Sequence, residues 1–421
     1  IVFCLPQSRC IFRPCCRLRT PSMNDTSQVS RAQMLAFGVT IFTGAFLLFQ
    51  VQPLIGKYIL PWFGGTPSVW TTCLLFFQCL LLGGYAYAHL LTRLPMRKQA
   101  IVHMVLLAAS LLFLPIRPSE ALQPEPGGNP AWQILVLLAA TIGLPYLVLS
   151  STGPLIQSWF SRKFAGRSPY RLYALSNIGS MLALITYPFL VEPYTTRNTQ
   201  VWSWSFGLVV FAIVCGAVAW NMREVKDPEE IEEEEAPAPA ISRWTMALWV
   251  LLPACGTAQL MAATNKITQD VAIIPFLWVL PLSLYLLSFI ICFDSPRWYS
   301  RTWFSRALWL SWAAVIWALH KGANADIILQ VVIFNAALFI GCMICHGELY
   351  RLRPPAIRLT QYFLMISAGG ALGGLFVALV APLIFADYWE FHVSLWGGGA
   401  LMLVVCFLNK VQWTFGKWHL R

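Results

Sequence analysis

Residues 34–55 read MLAFGVTIFTGAFLLFQVQPLI, an apolar stretch without a single charged side chain. A helix needs about 20 such residues to cross the ~30 Å hydrocarbon core of a bilayer. Further apolar stretches of comparable length follow along the chain, and hydropathy of this kind predicts transmembrane helices. They lie at 67–91, 99–115, 130–152, 170–191, 201–221, 244–263, 271–293, 303–319, 326–347, 361–385 and 391–409. The sequence therefore predicts an all-α polytopic membrane protein with about twelve transmembrane helices.

The composition agrees with this prediction. Hydrophobic residues make up 58% of the 421-residue chain and charged residues only 11%, whereas soluble domains carry about 25% charged residues. The strands of a membrane β-barrel would be about half as long as these segments and would alternate in polarity. The apolar stretches do not alternate, so the helical interpretation is favoured.

The net charge of +11 does not indicate a nucleic-acid partner, because the positive charges follow the predicted membrane topology. If the loops are assigned to alternate sides, all but five of the 29 Lys and Arg residues fall on one side. The five on the other side are Lys57, Arg117, Arg197, Lys266 and Lys321. Positive residues concentrate on the cytoplasmic side of membrane proteins. We therefore expect a multi-pass protein of the bacterial cytoplasmic (inner) membrane with both termini in the cytoplasm.

The chain divides into two membrane halves and two polar segments. Residues 1–33 form a basic N-terminal extension, of which 1–22 are interpreted as lying upstream of the true start. Residues 34–222 form the first six-helix half and 244–421 the second. Between them, 223–243 carry an acidic block followed by alternating Ala and Pro. This linker is too charged to pack and is expected to be solvated in the cytoplasm.

The two halves share a sequence signature. Each begins with Gln-x6-Lys followed by Pro-x-x-Trp, and each has small residues early in its fifth helix. The matching positions are Gln50, Lys57, Pro67 and Trp70 against Gln259, Lys266, Pro275 and Trp278, then Ser176 and Gly179 against Ser367 and Gly370, then Glu192–Tyr194 against Asp387–Tyr388. Because six helices are an even number, the copies share one orientation and are related by an axis along the membrane normal.

Five blocks of the sequence resemble a known family. They are FQVQPLIGKYILPWFGGTPSVWTTCLLFFQCLLLGGYAYAH (49–89), STGPLIQSWF (151–160), PYRLYALSNIGSMLALITYPFLVEPY (169–194), PFLWVLPLSLYLLSF (275–289) and CHGELYRLRPPAIRLTQYFLMISAGGALGGLF (345–376). These are similar to the membrane region of bacterial fused major-facilitator/spermidine-synthase-like proteins. The resemblance implies two six-helix bundles of major-facilitator architecture. Fused members also carry a soluble Rossmann-type domain resembling aminopropyltransferases.

That enzymatic part of the family has no counterpart in these 421 residues. No strand–Gly-x-Gly–helix unit with a downstream acid occurs in the sequence, so no catalytic residue and no cofactor are predicted. The leading hypothesis is a secondary-transporter-like module of unknown substrate, with its site between the halves. The alternative is a membrane anchor or partner of a separate aminopropyltransferase-like, methyltransferase-fold enzyme. A structural scaffold without transport is the third hypothesis.

The repeated signature supplies the candidate ligand site. Residues seven apart lie on one helix face, so Gln50 shares a face with Lys57, and Gln259 shares one with Lys266. We hypothesise that both lysines, with Asp270 beside Lys266, line one outward vestibule for a small anionic or zwitterionic ligand. The alternative is that both lysines snorkel to the membrane interface. Pro53 is expected to kink or open the first helix.

Polyamines are not expected to bind deep in the membrane. A buried polycation needs carboxylates, and those of the predicted helices lie near the surfaces. They are Glu192, Asp270, Asp387 and Glu390 on one side and Glu348 on the other.

A second candidate site lies at the predicted end of the tenth helix. His346, Glu348 and Arg351 form either an ion pair at the helix end or a proton-coupled gate. Cys342-Met-Ile-Cys345-His346 also matches the c-type haem string. It lies on the predicted cytoplasmic side, opposite to where that haem is attached, so neither haem nor a metal is predicted.

Small residues in the fifth helix of each half predict close helix packing. They are Ser176 and Gly179 in the first half and Gly370 and Gly374 in the second. The cluster GGALGG at 369–374 lies within an apolar helix, so the spacings Gly369-x3-Gly373 and Gly370-x3-Gly374 are interpreted as close helix packing and not as a phosphate loop.

Overall fold

The computed structural model describes residues 31–64, 67–124, 127–164, 167, 169–225, 241–270, 279–385 and 389–408. These residues contain twelve long helices and no strand. The helices are α1 (Arg31–Phe63), α2 (Pro67–Leu91), α3 (Met96–Ser110), α4 (Pro130–Lys163), α5 (Tyr170–Thr186), α6 (Arg197–Met222), α7 (Arg243–Asp270), α8 (Val279–Asp294), α9 (Arg301–Lys321), α10 (Ile327–Arg351), α11 (Leu359–Leu375) and α12 (Trp389–Leu408). The all-α architecture predicted from the sequence is confirmed.

Ten of the described helices are long and apolar enough to cross a membrane. The other two are α8, a shorter apolar helix of 16 residues, and α9, which carries Arg301 and Arg306. Each of the twelve predicted apolar segments overlaps one helix. The protein is therefore a multi-pass membrane protein whose outer surface contacts the lipid bilayer.

Local capping sets several helix starts. Asn129 accepts hydrogen bonds from the backbone N–H groups of Ala131 and Trp132, and Pro130 occupies the first turn of α4. Asp326 caps α10 in the same way. A side-chain acceptor satisfies backbone donors that the first helical turn leaves unpaired. These caps fix where α4 and α10 begin.

Several helices extend further than the sequence predicted, among them α4, which continues from the predicted end at 152 to Lys163, and α7, which continues from 263 to Asp270. The first segment was expected to end at residue 55, but α1 continues to Phe63 and is unbroken across Pro53, whose side chain is buried. The predicted opening of the helix at this proline is not seen. Similarly, α10 continues to Arg351, so Glu348 lies inside its last turn and not beyond its end.

The two halves repeat the same packing. In the first half α1 packs against α4, α5 and α6, and α2 packs against α4. In the second half α7 packs against α10, α11 and α12, and α8 packs against α10. Each pair in one half therefore has a counterpart six helices later, as expected for a duplicated six-helix unit.

The fifth helix of each half also ends in the same way. A π-helical segment continues α5 at Tyr187–Val191 and another continues α11 at Phe376–Val380. Each is followed by a short helical turn, Glu192–Tyr194 or Ala381–Ile384, that contains a proline. Single-turn π segments are uncommon in helices, so their matched positions are a second mark of the repeat.

Glycines bring the fifth helix of each half against the first. A Cβ at Gly179 would lie 2.7 Å from the Phe42 carbonyl oxygen of α1, while at Gly369 and Gly373 it would lie within 3 Å of the Val250 and Ala254 carbonyls of α7. The predicted packing glycine Gly370 has an ordinary distance of 3.5 Å to Thr257, and Gly374 faces the Gln78 amide of α2. Ser176 accepts a hydrogen bond from Ser180 through its backbone carbonyl.

The halves meet through crossed helix pairs. Helix α5 of the first half packs against α8 of the second, and α2 packs against α11, which also contacts α4. Most of the first half forms one hydrophobic core, while Tyr170, Tyr173 and Ala174 of α5 pack into a core of the second half. The two halves are therefore joined by helix packing and by aromatic side chains of α5 that enter the core of the second half.

Some expectations lie outside the described residues. These are the N-terminal extension up to residue 30, linker residues 226–240, the Pro275-x-x-Trp278 signature, and Asp387 with Tyr388.

Candidate functional site

Lys57 and Gln50 lie in the first half, beside the π segment of α5. Lys57 forms an ion pair with Glu192, and its ammonium lies 5.8 Å from the centre of the Tyr187 ring. Gln50 faces a crevice between α1, the π segment and α6 that also contains Tyr187. The Lys57 charge is thus compensated within its own half.

Gln259 and Lys266 lie in the second half. The Gln259 side chain is buried and donates from Nε2 to the Ser394 carbonyl of α12 at 3.1 Å. It packs against Gly341 of α10 and Gly398 of α12, where a Cβ would lie within 3 Å of its amide. Lys266 is half-buried, and the side chain of Asp270 lies outside the description.

The contacts of Lys57 and Gln259 do not connect the two halves in the way that the predicted vestibule requires. The polar contacts of Lys57 are made to the first half and those of Gln259 to the second. A lysine paired with a carboxylate attracts an anion less than a bare one does, and Gln259 is occupied in helix packing. The sequence signature thus marks equivalent places, where the first helix of each half meets the sixth.

His346 occupies the centre of a polar cluster in the second half. Ser288 donates its hydroxyl to the Tyr285 carbonyl at 2.6 Å, so its oxygen accepts from His346 Nδ1–H at 2.8 Å. The imidazole Nε2 therefore carries a lone pair. This atom is buried and has no partner among the described residues, and it faces Gly256 of α7, where a Cβ would lie 3.2 Å away.

Aromatic rings connect His346 to the first half. Phe289 stacks on the imidazole with ring centres 3.5 Å apart, and the same ring makes an edge contact with Tyr173 of α5, with centres 5.6 Å apart. Tyr285 packs edge-on against the imidazole at 5.0 Å and shares a hydrogen bond with Thr257. His346 is thus separated from the inter-half interface by one ring, and the α5–α8 contact holds that ring in place.

Glu348 has a different partner from the one predicted. Its fully buried carboxylate accepts two hydrogen bonds of 2.6 Å from Arg301 at the start of α9 and one of 2.8 Å from the Tyr299 hydroxyl. Arg351 instead donates to the Tyr299 carbonyl and lies over the Tyr299 ring. Glu348 therefore forms its ion pair with Arg301 of α9 and not with Arg351 of its own helix.

Tyr299 lies in the loop before α9 and completes this cluster. Burial raises the pKa of its phenol well above the ordinary value, and the Glu348 carboxylate raises this pKa further. The phenol therefore stays protonated and donates to Glu348. An Arg fork and a phenol together satisfy a carboxylate that would otherwise be costly to bury.

Sequence reasoning missed several of these residues. In the sequence Arg301 is one of the basic residues that indicate the topology, and no predicted site includes Tyr299, Ser288 or Tyr285. Ser288 and Tyr285 are three residues apart on α8, a spacing that places them on one face. Nothing in the local sequence connects Arg301 with Glu348, which are separated by 47 positions.

Polar contacts join the halves at the ends where α2 finishes and α5 and α11 begin. The hydroxyl groups of Thr92 and Thr360 lie 3.4 Å apart. His89 Nδ1 lies 3.0 Å from the Thr360 hydroxyl of α11. Tyr170 of α5 donates to the Pro354 carbonyl at 2.6 Å. This end carries most of the predicted cytoplasmic charges and is called the basic face below. The two halves are therefore closed against each other at the basic face.

Comparison with known proteins shows the fold. No family model matches the sequence, and no curated protein matches it. Among solved structures, a double-tryptophan variant of XylE superposes with a TM-score of 0.56 at 13% identity, covering 92% of this chain and 96% of that one. A second structure is described as the major facilitator superfamily proton:xylose symporter XylE bound to 6-bromo-6-deoxy-D-glucose. It gives 0.56 at 11% identity, over 90% and 95% of the two chains. The protein has a major-facilitator-like fold.

Proposed function

We propose that the protein is a secondary transporter of the bacterial inner membrane that moves a small polar solute between its two halves. The observation that carries this proposal is the crossed interface of α2 with α11 and α5 with α8. Two packed six-helix bundles that meet in this way can rock against each other around a central site, which is how such repeats give alternating access. Contact between the halves at the basic face corresponds to the arrangement in which the central site is reached from the opposite side.

The solute is proposed to be neutral or zwitterionic. Of the carboxylates in the described helices, Glu192 pairs with Lys57 and Glu348 with Arg301, while Asp294 ends α8 and Glu390 lies in the first turn of α12. The groups next to the inter-half interface are instead hydrogen-bonding ones, namely Thr257, Tyr285 and His346. A polyamine would need unpaired carboxylates there, so spermidine is not proposed as the solute.

His346 is proposed to couple transport to protons. In the present arrangement Phe289 covers the imidazole and Tyr173 of the first half holds Phe289. Separation of α5 from α8 would release that ring from Tyr173, and a shift of α8 against α7 would let water reach Nε2, which now faces Gly256. The imidazole could then accept a proton in one arrangement and be covered in the other, as coupling requires.

Transport can be tested in proteoliposomes that enclose a pH-sensitive dye. A panel of pentoses, hexoses, neutral amino acids, dicarboxylates and spermidine is added outside, with and without a proton gradient. We expect at least one neutral or zwitterionic solute to change the internal pH. A panel that gives no solute-dependent flux, or flux of spermidine alone, would contradict the proposal.

Two variants separate coupling from movement. His346→Gln cannot titrate, so we expect it to exchange solute across equal concentrations while losing proton-driven accumulation. The double variant His89→Cys/Thr360→Cys, made in a background without native cysteines, should lose both activities when cross-linked across the basic face. The two single-cysteine variants under the same oxidant are its controls. Full activity of the cross-linked protein would rule out rocking of the halves.

A further inference from the structure

The crevice beside Gln50 opens toward the membrane and is distinct from the path between the halves. It has a volume of about 540 Å³, within the ~300–1,000 Å³ range of ligand pockets. Phe42, Phe46, Leu47 and Leu54 of α1 form one apolar wall, with Tyr187 and Trp204 opposite. Phe206 at its edge is 70% exposed. Because this surface faces lipid, the crevice is accessible from the bilayer.

Hydrogen bonds fix the walls of this crevice. Tyr187 donates to the Gln200 side chain at 3.0 Å, and the Trp204 indole donates to the Leu47 carbonyl at 2.9 Å. Gln200 in turn donates to the Thr195 carbonyl. The side chains of Tyr187, Trp204 and Gln200 therefore have hydrogen-bond partners within the protein. Their bonds link α6 to α1 and to the π segment of α5, and so fix the width of the crevice.

Two other polar side chains in the crevice are not satisfied. Gln50 on α1 and Ser203 on α6 both line it, and neither has a hydrogen-bond partner within the described part of the chain. An unpaired amide or hydroxyl facing hydrocarbon is unfavourable. Both groups can donate a hydrogen bond, so the crevice is built to accept a molecule that brings acceptors to this depth.

Positive charge lies at one end of the crevice. Arg197, the first residue of α6, is exposed, and its guanidinium lies 5.5 Å from the centre of the Tyr58 ring. Lys57 is close by but is paired with Glu192. The three charged groups sum to one positive charge, and the amino-terminal end of α6 adds to it. This end of the crevice thus favours a single negative charge.

The spacing of these groups matches one kind of molecule. With a rise of 1.5 Å per residue, Gln50 lies about 10 Å along its helix from Lys57, and Ser203 about 9 Å from Arg197. The headgroup region of a bilayer leaflet is about 5–7 Å thick. With the cation at the outer edge of that region, the two donors lie about 2–5 Å below its inner boundary, close to the ester carbonyls and the first carbons of the acyl chains.

We propose that this crevice is a binding site for one anionic diacyl phospholipid. Arg197 binds the phosphate, Gln50 and Ser203 donate to the ester carbonyls, and one acyl chain lies along the Phe42–Leu54 wall. The proposal does not depend on transport, since it concerns the outer perimeter of the first half.

The test is native mass spectrometry of the delipidated full chain with phosphatidylglycerol and phosphatidylcholine of equal chain length. We expect one phosphatidylglycerol to remain bound at collision energies that remove phosphatidylcholine. Ser203→Phe, which fills the crevice from an exposed position, should abolish this retention. Ile213→Phe, on the exposed surface of the same helix but outside the crevice, should behave as the wild type. Arg197→Gln should lose the preference for phosphatidylglycerol, and Arg223→Gln at the other end of α6 should keep it.

Several outcomes would overturn the site. Equal retention of both lipids by the wild type would indicate general boundary lipid. Unchanged retention by Ser203→Phe, or by Gln50→Leu if the first variant does not fold, would show that the crevice is not occupied. Thermal stabilisation by inorganic phosphate equal to that by phosphatidylglycerol would reduce the site to surface binding of an anion.

Discussion

Glu348 shows how this fold holds a carboxylate inside a helix bundle. Its side chain is fully buried, and the Arg301 side chain is 14% exposed. Three charge-assisted hydrogen bonds replace the water that the carboxylate lost. Removing one member of such a buried pair leaves the other charge without compensation. The free-energy cost of that unpaired charge is larger than the stability that the pair itself provides.

We predict that Glu348→Gln destabilises the protein by about 3–5 kcal/mol. The matched control is Lys57→Gln, which removes a more exposed pair with side chains 20% and 32% accessible and should cost about 0–1 kcal/mol. Reversible unfolding in sodium dodecyl sulfate measures both. In the double variant Glu348→Gln/Arg301→Gln the loss should be smaller than the sum of the single losses. Additive losses would show that the two residues do not act as a pair.

At the scale of single residues, the sequence indicates that Glu348 forms an ion pair but not that Arg301 is its partner. Arg351, three positions away, was the nearest cation that a helix could bring to Glu348. In the structure Arg351 turns to the Tyr299 ring, and Arg301 reaches the carboxylate from another helix. A contact between α9 and α10 depends on how the helices pack, which local spacing does not contain.

At the scale of elements, the glycines of α11 determine how closely it approaches α7. The backbone at Gly373 lies so near the Ala254 carbonyl that a Cβ has no space, whereas Gly370 on the same helix has an ordinary contact. Small residues of this kind allow helix backbones to approach in membranes. The sequence predicted the packing role of the cluster but not which of its faces meets α7.

We expect Gly373→Ala to destabilise the protein by about 1–3 kcal/mol, because the added methyl group forces α7 and α11 apart. Gly370→Ala should be neutral or slightly stabilising, since alanine is the better helix former by about 1 kcal/mol. Thermal unfolding of the two purified variants in one detergent gives the comparison. If Gly370→Ala is the more harmful of the two, the assignment of the contact face is wrong.

Helix boundaries were predicted less well than helix number. Apolar length located all twelve segments, but α1 and α10 continue past the polar residues at which the segments were ended. A charged residue such as Lys57 or Glu348 marks the end of a transmembrane helix if its side chain is assumed to face water. Within the folded protein Glu192 and Arg301 neutralise them, so the helices continue through both positions.

At the scale of the whole molecule, the repeat was visible in the sequence because duplicated helices keep their special residues. Gly179 meets Phe42, eight positions before Gln50, and Gly369 meets Val250, nine positions before Gln259. The same helix contact thus recurs in both halves almost in register. The crossed pairs α2–α11 and α5–α8 are also equivalent, since each joins the second helix of one half to the fifth helix of the other, but spacing within one half does not reveal contacts between the halves.

The orientation in the membrane follows from the charges and gives the last prediction. The basic face carries most of the Lys and Arg residues, and such residues stay on the cytoplasmic side. Leu94 and Ile357 lie in exposed loops on this face, one in each half, while Glu120 and Asn324 are exposed in loops on the opposite face. None of the four is itself a positive residue, so replacing them leaves the Lys and Arg distribution intact.

Single cysteines at these four positions, in a background without native cysteines, can be labelled with a membrane-impermeant maleimide. If the basic face is cytoplasmic, as the charge distribution predicts, Glu120→Cys and Asn324→Cys should react in intact cells, and Leu94→Cys and Ile357→Cys only after permeabilisation. Cys79, which is exposed in the native chain, must be replaced first. The reverse pattern at all four positions would invert the orientation. A reversal confined to one half would show that the halves do not share one orientation, which would contradict a repeat about an axis along the membrane normal.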